Sequence, residues 1–151
     1  LQKNLANDAP GYRLPFGFYA PGIISPGRVS TLASQTDIAP TLLAMLGGTY
    51  EHSFLGRDIL RVSPGDGFAM LHEDRHIAFL RPGRALVIGP INRRNKPTSV
   101  PAMFEVSESD MTPIPPDLID IKDNRTMRRD MLSLYGVALW QYLNDKKGNQ
   151  N

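Results

Sequence analysis

Cysteine is absent from the 151 residues, which excludes disulfides, thiolate metal sites and a cysteine nucleophile. Long apolar runs are absent too. None approaches the roughly 20 residues that a membrane-spanning helix requires, and no signal peptide opens the chain. Charge of one sign is scarce, since 17 basic residues stand against 15 acidic ones and leave a formal net charge of +2. That excess is too small to argue by itself for nucleic acid or for an anionic membrane, and no nucleic-acid partner is expected. With 41% hydrophobic and 21% charged residues, the chain falls in no disordered or fibrous class and has enough apolar material for one ordinary core.

What is present is concentrated first in residues 30–60, S-T-L-A-S-Q-T-D-I-A-P-T-L-L-A-M-L-G-G-T-Y-E-H-S-F-L-G-R-D-I-L. Asp37 stands where a helix N-cap belongs, able to take a free backbone N–H of the first turn. Pro40 falls in that first turn, where its missing N–H costs nothing. Leu42, Leu43, Met45 and Leu46 form an apolar body, and Gly47-Gly48 ends it. The expectation is a short, almost wholly buried helix. Upstream, residues 14–20 (L-P-F-G-F-Y-A) form an apolar run closed by Pro21-Gly22 and read as a buried strand, with Pro15 at its start or on an edge. Ser25-Pro26-Gly27-Arg28 reads as a turn, and residues 29–33 as a brief strand leading to the helix. Residues 49–60 read as a loop whose landmark is Gly56-Arg57-Asp58, with Gly56 permitting a tight backbone turn.

From Phe68 the pattern changes to short runs at 68–71, 77–81, 84–88 and 103–106, which predict a small antiparallel sheet of three or four strands. Pro82-Gly83 separates two of them as a two-residue turn of type II character. Residues 92–101, with Arg93, Arg94 and Lys96, and residues 107–116 read as surface loops. No aromatic residues interleave with those three basic groups as stacking on nucleic acid would require. Asn124 can cap a final helix from Arg125 to about Lys147. Met127, Met131, Leu134, Tyr135, Ala138 and Tyr142 recur on one face, which Leu132, Leu139 and Leu143 widen. This face is expected to be core, with Trp140 packing the helix on the small sheet and Lys146 and Lys147 at the negative end of the dipole.

One motif carries metal chemistry on its face. His72-Glu73-Asp74-Arg75-His76 fits H-E-x-x-H, which on a helix places two imidazoles one turn apart on zinc, with the glutamate as general base. A third ligand would have to be Glu105, Glu108 or His52. The competing reading makes the same five residues the turn between two strands, and His52 an exposed loop histidine.

The wording T-D-I-A-P-T-L-L-A-M-L-G, followed by F-L-G-R-D-I-L and preceded by L-P-F-G-F-Y-A-P-G-I-I, resembles the later part of the sulfatase-like catalytic domain of the alkaline phosphatase superfamily. Within it, the nearest likeness is to phosphoglycerol transferases of the lipoteichoic-acid-synthase type. The resemblance covers residues 14–60 and implies a fold and a setting. The fold class is α/β, or α+β for the chain taken alone: the end of a sulfatase-like α/β domain (residues 1–62), then a small antiparallel subdomain packed by a long C-terminal helix (residues 63–151). The run at 14–20 would be a strand of the large central sheet, with an exposed edge through which the chain could oligomerise.

The resemblance also implies a longer, membrane-anchored protein working outside the cytoplasmic membrane on lipid-linked or glycan substrates. In such enzymes a divalent metal (Mn, Mg, Zn or Ca) activates a hydroxyl nucleophile. The family places nucleophile and metal ligands before the strand at 14–20, and no residue here matches them, so no catalytic, cofactor or metal residue is expected in this chain. Ser25-Pro26-Gly27-Arg28 is a near miss for the nucleophile motif, with the proline too close to the serine. Asp37 and Asp58 fall in family motifs as capping and turn residues. The expected role is thus a C-terminal, structural portion, inactive alone, whose partner is the N-terminal part of the same protein. Two alternatives stand beside it: a zinc metalloprotease using His72, Glu73 and His76, and a non-catalytic interaction module.

Overall fold

The computed structural model describes residues 12–47, 51, 53, 55–73, 76–89, 102–107 and 111–148. Its centre is an antiparallel sheet of five strands in sequence order: β1 (Ala69–Glu73), β2 (His76–Arg81), β3 (Arg84–Ile88), β4 (Ala102–Val106) and β5 (Met111–Pro113). The β2–β3 hairpin closes on Arg81 opposite Arg84, with Pro82 holding its fixed φ and Gly83 at φ 76°, as a type II turn demands. β5 was expected to be loop because prolines surround it. It pairs Phe104 with Pro113 at the sheet edge, where a residue without an N–H is tolerated.

Alternation along the strands sorts the side chains into two faces. One face carries Met70, Ile77, Phe79, Leu86, Ile88 and Met103, and packs against Met127 and Met131 of the long helix α2 (Ile121–Gly148). The other carries Leu71, Ala78, Ala85, Val87 and Phe104, with Tyr12 against it. Ion pairs flank the first cluster: Arg81 Nη2 lies 2.6 Å from Asp130 Oδ2, and Arg84 reaches Glu105 at 2.8 Å and Asp123 at 3.7 Å. The helix is thus clamped to the β2–β3 hairpin by both oil and charge.

α2 begins four residues before the expected start. Asp120, not Asn124, caps it, its Oδ1 accepting from the backbone N–H groups of Lys122 (2.7 Å) and Asp123 (3.2 Å). A carboxylate there suits the positive end of the dipole as well as the unpaired donors. The expected core face is real only in part. Met127 and Met131 are fully buried and Leu134 and Tyr135 pack against them, whereas Leu132, Tyr142 and Leu143 are about half exposed and Trp140 is 66% exposed. Trp140 therefore does not join helix to sheet.

The short helix α1 (Ile38–Met45) forms as expected and ends on Gly47 in the left-handed region, φ 72°. It is not wholly buried: Pro40 and Thr41 are, but Leu42 and Leu46 face outward. Residues 14–20 form no strand. Leu14, Phe16 and Tyr19 stand exposed, Tyr19 at 92%, and among the described residues no strand pairs with them. The turn falls at residues 21–24, where Ala20 O accepts from Ile23 N and Ile24 N; residues 25–28 and 29–33 are irregular rather than turn and strand.

Candidate functional site

The residues that carried the family wording meet in one place. Asp37 ends a 3-10 turn (Gln35–Asp37) that opens on Ser34. Its carboxylate is nearly sealed from solvent, the residue being 3% exposed. Oδ2 accepts from Ser34 N (2.9 Å) and Arg57 Nη2 (3.2 Å), and Oδ1 accepts from Arg57 N (2.7 Å) and Nε (3.4 Å). Asp37 thus stands at the N-cap position of α1, as expected, but its side chain makes no capping bond to that helix; it is the returning half of the capping box that opens the 3-10 turn, and one face of the Arg57 fork closes on it.

Arg57 continues outward from this pair. Its Nη2 also donates to Phe68 O at 3.0 Å and its Nη1 to Asp66 O at 3.3 Å. The guanidinium carbon lies 3.5 Å from the centre of the Phe68 ring, a stacked cation–π contact. Thr41 ties the same two segments by its hydroxyl, which donates to Asp37 O (2.6 Å) and accepts from Ile59 N (3.0 Å). Gly56 is required by closeness rather than by a special φ: a Cβ there would overlap the backbone carbonyl of Thr36. Ser34 Oγ, finally, accepts from Met70 N at 3.1 Å and joins the knot to β1.

The chemistry open to this arrangement is fastening. A carboxylate engaged by four donors has no free lone pair directed at a cation. Asp58 is similarly engaged: it accepts from Leu60 N at 3.1 Å and lies 3.3 Å from Arg61 Nε. The assignment of both aspartates to capping and turn formation agrees with the geometry. Sequence reasoning missed the pairing of Asp37 with Arg57. The signal available was Ser34-x-x-Asp37, a capping-box spacing that places the aspartate inside the first turn.

The H-E-x-x-H residues do not form a metal site. They span the β1–β2 connection, with His72 opposite Ile77 and Glu73 opposite His76. Directly paired residues share a face, so His72 falls on the face of Ile77 and Phe79, and His76 on the opposite one. Two imidazoles on opposite faces of a sheet cannot hold one ion, and the helix that the zinc motif requires is replaced by a hairpin. His76 is buried, and its Nδ1 makes no hydrogen bond among the described residues. Glu105 lies on β4, three strands from His72, and is paired with Arg84. His52, Glu108, Arg93, Arg94 and Lys96 lie outside the described residues. Among the described residues no three histidine, aspartate or glutamate side chains come together in a way that could hold a metal ion. The divalent metal of the sulfatase-like chemistry therefore does not fit these residues.

With this geometry the chain can be set beside known proteins. No family model and no curated protein matches its sequence. Among solved structures it is similar to a protein in the alkaline phosphatase superfamily from Vibrio parahaemolyticus, with a TM-score of 0.52 and 21% identity, over 72% of this chain and 25% of that one. The chain shares the fold of part of an alkaline phosphatase superfamily protein. It spans about a quarter of that structure's length. The fold seen here is mixed α and β, an antiparallel sheet covered by the long helix α2.

Proposed function

We propose that this chain is the C-terminal, structural portion of a metal-dependent transferase or hydrolase of the alkaline phosphatase superfamily, of the phosphoglycerol or phosphoethanolamine-transferring type. In this reading the nucleophile and the ligands of the divalent metal belong to the part of the protein that precedes Leu1. That part is the chain's partner, and the whole protein is anchored in the cytoplasmic membrane and acts outside it on lipid-linked or glycan substrates. The observation that carries the reading is the fold shared with a quarter of a superfamily protein. The closed Asp37–Arg57 knot supports it, because the residues most like the family's motif serve to hold backbone segments together.

The test compares two proteins: the 151-residue chain, and the product of the reading frame extended upstream of Leu1. Each is assayed for phosphodiester cleavage and glycerophosphate transfer with Mn²⁺ added. The extended protein is expected to turn over and the chain to be silent. Turnover by the chain alone, or an upstream frame without a hydroxyl nucleophile and acidic ligands, overturns the proposal.

A further inference from the structure

The exposed arc of α2 has a charge distribution that the net charge of the chain conceals. Its acids are turned away and engaged: Asp123 lies within ion-pair distance of Arg84, and Asp130 is shared between Arg81 and Arg129. Its bases are not turned away. Arg125, Arg128 and Arg129 are exposed on the side away from the sheet, and with Leu132 and Ser133 they line a shallow, open depression. From Leu132 onward the same arc becomes apolar. Leu132, Gly136, Leu139 and Leu143 follow one another at helical spacing. Trp140 stands beside them, 66% exposed, and the position of Gly136 opens onto empty space. The helix then runs on to Gly148.

The arc is thus basic and then apolar, with an exposed indole, and no acid of the arc from Arg125 to Leu143 interrupts it. An apolar stripe with an indole at its margin and three exposed arginines at one end matches a surface that is oily inside and negative outside. We infer that the outward arc of α2 docks on an anionic lipid bilayer, with Leu132, Trp140 and Leu143 entering the headgroup boundary and Arg125, Arg128 and Arg129 meeting lipid phosphates. The arc would carry this chemistry in a protein of any activity, so the docking stands apart from the transferase reading.

The chain supplies its own probe, since Trp140 is its sole tryptophan. The 151-residue chain is mixed with vesicles of phosphatidylcholine containing 30% phosphatidylglycerol and, separately, with pure phosphatidylcholine, at low and at 0.5 M salt. Expected are co-sedimentation with the anionic vesicles alone, a blue shift of Trp140 emission, quenching by brominated acyl chains, and loss of binding at high salt. Each basic residue near such a surface changes partitioning about fivefold, so the Arg125→Glu/Arg128→Glu variant should bind at least about 25-fold more weakly. Both positions are exposed, and unchanged circular dichroism would show that the variant folds. Three results each overturn the inference: no binding, equal binding to both vesicle types, or binding without a change at Trp140. A blue shift produced by the upstream part of the protein in the absence of vesicles assigns the arc to an interface within the protein and overturns it as well.

Discussion

Replacing Asp37 tests whether the knot holds the first third of the structure in place. In Asp37→Ala the Arg57 guanidinium, 22% exposed at its side chain, loses its carboxylate, and the backbone N–H groups of Ser34 and Arg57 lose their acceptors. Removing one partner of a buried pair costs about 3–5 kcal/mol. Arg57 keeps Phe68 O, Asp66 O and the Phe68 ring, which favours the lower end, about 3 kcal/mol. Asp37→Asn keeps the shape but turns an amide N–H₂ toward one pair of donors, so about 2 kcal/mol is expected from the lost charge-assisted bonds. Urea unfolding followed by far-UV circular dichroism reads both as a lower midpoint with an unchanged slope. A double-mutant cycle with Arg57→Ala isolates the pair, and its coupling should exceed about 1 kcal/mol. If both Asp37 variants shift stability by only a few tenths, or the cycle closes near zero, the knot does not fasten the fold and the reasoning fails.

Other perturbations follow from the same contacts. Thr41→Val removes the buried hydroxyl that accepts from Ile59 N and should cost about 1–3 kcal/mol in the same urea assay. Gly56→Ala forces a methyl into the Thr36 carbonyl and should cost about as much as overpacking a core, about 1–3 kcal/mol or more, seen as a fall in melting temperature. Phe79→Ala empties the centre of the helix-side cluster and should cost about 3–5 kcal/mol, enough to leave a marginal domain largely unfolded by chemical denaturation at room temperature. Isothermal titration with zinc should show no tight one-to-one site, and His72→Ala should leave the titration unchanged. A stoichiometric site lost in that variant would contradict the placement of His72 and His76 on opposite faces.

Much of the sheet was legible because its signals are local. Pro82-Gly83 between two alternating runs specifies a turn and therefore a register, and the strands on either side formed within a residue of the expected bounds. What was not legible depended on neighbours distant in sequence. Asp37 carries a capping signal, but its main partner is Arg57, twenty residues on, and no spacing rule names it. The apolar run at 14–20 has strand composition, yet a strand exists only where another strand supplies its hydrogen bonds. On α2, a repeat of three and four residues marks apolar positions around more than half the circumference. Periodicity alone could not tell that Met127 and Met131 face the sheet while Leu132, Trp140 and Leu143 face out. The metal motif failed for a related reason: H-E-x-x-H means chelation only on a helix, and five residues cannot choose between a helix and a hairpin.

The hydrogen bond from Met70 N to Ser34 Oγ bears on the order in which the chain is made. Every sheet pairing joins neighbours in sequence, so the meander can zip outward from the Arg81–Arg84 hairpin within microseconds to milliseconds of its emergence. The aspartate at 37 leaves the ribosome earlier, at a few residues per second, and must wait for Arg57, then Phe68, then the first strand before its surroundings close. During that interval of seconds the segment with the family-like wording is open to proteases and chaperones, although in the finished fold Asp37, Arg57 and Thr41 tie it down.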